Sequence, residues 1–60
     1  MMTDHEIAER CYRSMRDHAG SDKKAMGDVI DAMLSFKTKD KLFQNVVIIM
    51  AMIYANEEGH

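Results

Sequence analysis

The sequence predicts an all-α fold. It reads as one domain over residues 1–60, with helices at about 4–18, 22–36 and 39–56. The C-terminal helix is hydrophobic and central, and the expected assembly is a helical-bundle homodimer. Three observations predict this. A capping signal at Thr3 opens an amphipathic stripe. Short polar connections separate three periodic segments, and the chain contains no proline. The stretch from Leu42 to Ala55, LFQNVVIIMAMIYA, is more apolar than a lone domain of 60 residues can readily cover.

Helix one begins at Thr3-Asp4-His5-Glu6, a Thr followed three residues later by Glu. The Thr hydroxyl can accept from the Glu6 amide while the Glu6 carboxylate reaches back, which satisfies two unpaired donors. Asp4 suits the positive end of the helix. Ile7, Ala8, Cys11, Tyr12 and Met15 then fall at helical spacing and form the core stripe. Glu6, Glu9, Arg10, Arg13, Arg16 and Asp17 form the opposite face. The i, i+4 pairs Glu6–Arg10 and Glu9–Arg13 run in the favourable order. Gly20 is the expected stop.

Helix two starts at Ser21 or Asp22, either of which can cap it. Its core stripe is Met26, Val29, Ile30, Met33 and Phe36, with Ala32 and Leu34 beside it. Gly27 inside a helix costs about 1 kcal/mol against Ala. Close approach of another helix backbone would account for it, as would simple tolerance of the weakness. Thr38 is the expected cap of helix three, with Asp40 in the first turn. Such short connections join antiparallel neighbours.

Helix three has β-branched residues that would suit a strand, but the run is too long for one. It is also too short to span a bilayer, which takes roughly 20 apolar residues. Its core face is Leu42, Phe43, Val46, Ile49, Met50 and Ile53. Its solvent face opens with Lys41, Gln44 and Asn45 and then becomes Ile48, Ala51, Met52 and Ala55. A helix that is apolar all round is covered on all sides. Ile48, Ala51, Met52 and Ala55 are therefore expected to form a dimer interface. Glu57 and Glu58 oppose the dipole at the helix end, so that end is expected to loosen.

Composition narrows the function. Net charge is −2 with His neutral, unlike the balance of a nucleic-acid binder. Cys11 is the single cysteine, so no internal disulfide forms, and oligomerisation is the remaining route to stability for a small domain. One thiol and no export signal predict a cytoplasmic protein with no membrane contact. Seven methionines suit core filling and adaptable binding surfaces alike.

No catalytic constellation emerges. Cys11 lies in the apolar stripe, where a free thiol behaves as a small hydrophobe, and helix rise sets His18 about 10 Å away. Asp4, His5, Asp17, His18 and His60 are the conceivable metal ligands. None pairs with another at helix-face spacing, so no metal and no cofactor is expected. Three scattered glycines make no phosphate cradle. A recognition helix must offer polar groups to base edges, which Val46 to Ala55 cannot.

The expected function is a non-enzymatic protein–protein interaction module, an adaptor or inhibitor of a larger protein. Its size and character suit an accessory product of a phage or other mobile element. Tyr12, Arg13 and Arg16 are the expected partner-binding residues, since Tyr and Arg recur at hot spots. The alternative is a dimeric DNA-binding regulator that uses the arginines of helix one and the basic loops.

Overall fold

The computed structural model describes residues 1–20 and 22–58. Ser21, the alternative cap, and Gly59 and His60 lie outside the described residues, as does the side chain of Glu58. The elements are α1 (Asp4–Ala19), α2 (Lys23–Ser35) and α3 (Lys41–Glu58), and no strand occurs among the described residues. The fold is all-α, as the periodicity predicts.

Each helix start is set by a local acceptor. Thr3 Oγ1 accepts from the Glu6 amide at 3.2 Å, and Glu6 Oε1 accepts from the Thr3 amide at 3.2 Å, so the reciprocal box is complete. Glu6 is thereby turned toward Thr3. Asp22 Oδ1 accepts from the Ala25 amide at 3.0 Å and caps α2. At the end of α1, Gly20 takes φ 66°, and its amide donates to the Arg16 carbonyl at 2.9 Å.

The start of α3 differs from expectation. The capping side chain is Asp40, whose Oδ1 accepts from the Leu42 and Phe43 amides at 3.0 and 3.3 Å. Thr38 acts one step outside, its hydroxyl accepting from the Asp40 amide at 3.1 Å. A carboxylate is the stronger acceptor and complements the positive end of the dipole, so the nearer charged group takes the cap. The helix accordingly begins at Lys41 rather than 39.

The far end of α3 also departs from expectation. Rather than loosening, the helix continues to Glu58. The Glu57 carboxylate accepts from the Tyr12 hydroxyl at 2.5 Å and from Arg16 Nη1 at 2.6 Å. An unfavourable dipole term at an exposed end is worth only about 0.3–1 kcal/mol, and two bonds to one carboxylate outweigh it.

These contacts also set the topology. Asp4 meets Asn45, and Arg16 meets Glu57, so α1 and α3 run parallel in a fixed register. Tyr54 meets Lys23 while Phe43 meets Phe36, so α2 runs antiparallel to α3. Both other helices pack chiefly on α3, and they touch each other least.

The core is Ala8 and Tyr12 of α1, Met26 and Ile30 of α2, and Val46, Val47 and Met50 of α3. Met50 lies at its centre with 0% exposure. Four expected core members lie elsewhere. Cys11 is exposed: the covered line of α1 runs through Ala8, Tyr12, Met15 and Ala19, and Cys11 sits one residue off it. Val29 and Leu42 are about half exposed. Phe36 is 64% exposed because α2 ends at Ser35 and Phe36 continues in extended backbone. Its ring meets Phe43 edge-on, with centroids 5.7 Å apart. Val47 is buried and Tyr54 packs against the core, although the core stripe omitted both.

Gly27 has a specific reason. A β-carbon there would lie 2.7 Å from the Tyr54 hydroxyl and 3.2 Å from Cζ of the same ring. The close approach anticipated for this glycine is made by the Tyr54 side chain. The hydroxyl donates to the Lys23 carbonyl at 3.1 Å, which fixes the ring against α2.

Candidate interaction surface

The outer face of α3 begins with exposed Lys41 and Gln44, with Asn45 at its edge, where it donates to Asp4 of α1. One turn on it becomes apolar. Ile48 is 52% and Met52 58% exposed, and Ala55 is exposed beyond them. Ala51 is half-buried and packs against the core. Of the four residues read as an interface, three are therefore open and one straddles the edge. Asn56 closes the strip with another exposed amide.

The strip has a wall that periodicity alone did not supply. Between the end of α2 and α3 lies a groove of about 400 Å³, lined by Leu34, Phe36, Phe43, Val47 and Ile48, with Lys37 at its rim. Leu34 and Phe36 are among the large exposed apolar side chains of the fold. The signal for them was the helix end. Once α2 stops at Ser35, Phe36 no longer follows the helical stripe and swings toward α3. Burying a side chain of this size is worth roughly 1.5–3 kcal/mol, so a cluster of them in water is costly.

The residues expected to meet a larger partner separate. Tyr12 is 5% exposed, with its ring in the core and its hydroxyl on Glu57. Arg16 is exposed and joined to the same carboxylate. Arg13 is exposed and reaches the Glu9 carboxylate at 4.0 Å. A second cleft, of about 340 Å³, opens where Tyr12, Arg16, Lys23, Met26, Tyr54 and Glu57 converge. There Glu57 of α3 accepts from Tyr12 and Arg16 of α1, and the Tyr54 hydroxyl of α3 donates to the Lys23 carbonyl of α2.

Three of the conceivable metal ligands have partners, and His60 lies outside the described residues. His5 Nδ1 lies 2.7 Å from Glu9, Asp4 accepts from the Asn45 amide group at 3.1 Å, and His18 Nδ1 contacts the Ser14 carbonyl at 2.8 Å. Among the described residues no group of three His, Cys, Asp or Glu side chains is placed to hold a metal ion. No described helix is long and apolar enough to cross a membrane. No family model matches the chain, and the comparisons with curated proteins and with solved structures find no match.

Proposed function

We propose that this chain is a small non-enzymatic protein–protein interaction module, an adaptor or inhibitor of a larger protein, that works as a homodimer joined through α3. The observation that carries the reading is the exposure of Ile48 and Met52 on the outer face of the central helix. Large apolar side chains grouped on one face, beside a groove that is itself apolar, mark an interaction site. The Gln44 and Asn56 amides bound the strip, in keeping with a polar rim around an apolar centre.

With α3 used in self-association, the exposed side of α1 is left for the larger partner. Arg13 and Arg16 are the residues there that suit a hot spot, with Tyr12 beneath them as the group that steadies Glu57 and, through it, Arg16.

Sedimentation equilibrium over a range of concentrations tests the assembly. The reading expects a dimer, and it expects Ile48→Glu with Met52→Glu to yield a monomer or an unfolded chain. A double variant that stays dimeric and stable refutes the placement on α3. Duplex DNA provides the functional control. Binding at low salt that weakens steeply as salt rises would favour a phosphate-contacting regulator instead.

A further inference from the structure

The geometry points to a second copy of this chain, crossing antiparallel over α3, as the occupant of the Ile48–Met52 strip. In this arrangement the partner's Met52 enters the groove beside Ile48. The inference rests on the homodimer reading above and adds its orientation and register.

The exposed strip is close to symmetric about its middle. Reading along α3, an amide at Gln44 is followed one turn later by Ile48, another turn later by Met52, and another by the Asn56 amide. Reversing the helix about the point between Ile48 and Met52 lays Gln44 on the partner's Asn56 and Ile48 on the partner's Met52. A twofold interface requires a patch that complements itself in this way. The groove lined by Leu34, Phe36, Phe43 and Val47 lies directly beside Ile48. Met is unbranched and polarizable, and it fills irregular apolar gaps of this kind. The twofold axis repeats the same insertion on the other side.

Charge selects the direction. Lys37, Lys39 and Lys41 cluster at the start of α3 against a single Asp40, and Lys41 is exposed on the same face as Ile48 and Met52, whereas Glu57 near the far end is held within the chain by Tyr12 and Arg16. An antiparallel crossing keeps the two basic ends apart and opposes the two helix dipoles. A parallel crossing would set lysine against lysine.

Cross-linking between single cysteines tests the orientation, with Cys11→Ser removing the native thiol. Gln44→Cys and Asn56→Cys chains, made separately and mixed, are oxidised under mild conditions and compared with Lys41→Cys alone. In the antiparallel dimer the two Lys41 positions are about 27 Å apart along the helix axis, so that variant gives no covalent dimer, while the mixture gives the mixed one. Self-cross-linking of Lys41→Cys would establish a parallel seam and overturn the inference. A sedimenting dimer in which neither pair cross-links would place the interface on another surface, with the same consequence. A chain monomeric at every concentration would remove the homodimer reading itself, and the two failures are thereby distinguished.

Discussion

The Tyr54 hydroxyl stands 2.7 Å from the point a β-carbon on Gly27 would occupy. Two opposing terms meet there. Gly→Ala in a helix interior should gain about 1 kcal/mol from propensity. Real β-carbons do not approach an oxygen so closely, so the ring must shift, which strains its bond to the Lys23 carbonyl. Gly27→Ala is therefore expected to destabilise the chain. The same change in a Tyr54→Phe background should be less harmful, since the clashing oxygen is gone. Urea unfolding of the four chains gives the coupling energy. Additive effects would mean that the two groups do not meet.

Glu57→Gln should release the end of α3. The pair with Arg16 is half exposed and screened, so its loss is expected to cost the global fold about 1 kcal/mol or less. The local effect is larger. Amides in the last turn should exchange faster with solvent, while those around Met50 remain protected. Unchanged protection at the helix end would mean that the carboxylate does not anchor it.

Asp40→Ala should cost about 0.5–2 kcal/mol, the usual loss for a helix cap. Thr38→Ala should cost less, because its hydroxyl supports Asp40 rather than the helix amides. The midpoints of thermal unfolding check the ranking. A larger loss at Thr38 would restore it as the capping residue.

Met50→Ala removes the most deeply buried large side chain, a change worth about 2–5 kcal/mol. Domains of this length have about 3–9 kcal/mol in total. The variant is expected to lose a large share of that stability and to unfold at a clearly lower temperature by circular dichroism. A cooperative transition close to that of the parent chain would mean that the site collapses around the smaller residue.

Cys11 is expected to react with a water-soluble thiol reagent in the folded chain nearly as fast as in denaturant, since its side chain lies outside the core. Strong protection in the native state would return it to the apolar stripe.

The parts of this fold legible in sequence are those fixed within one or two helical turns. Thr3 with Glu6 and Asp22 with Ala25 are bonds between near neighbours, and residue type and spacing announce them. The open face of α3 was legible for the same reason: helical phase carries Gln44 forward to Ile48 and Met52. Periodicity gives a direction, however, and not the partner that covers it. Cys11 and Leu42 lie near the correct arcs, yet no side chain of another helix reaches far enough to bury them. The bond from Tyr12 to Glu57 joins residues 45 apart. Two glutamates at a helix end read as a weakness until the fold brings a tyrosine and an arginine to one of them. Phe36 shows the cost of misplacing one boundary: a helix shorter by a single residue turns a core side chain into the wall of a groove.

The parallel register of α1 and α3 has a consequence for how the chain is made. Asp4 meets Asn45 and Arg16 meets Glu57, in each case across 41 residues. These long-range contacts raise the contact order of an all-helical protein, and loop closure must be paid before they return anything. Residues 1–40 hold α1 and α2, the pair with the least mutual contact, and lack the helix on which both pack. A nascent chain halted before Lys41 would therefore carry Tyr12, Met26 and Ile30 without their cover, available to other unfinished copies. The core around Met50 can therefore close only once α3 is available to both other helices.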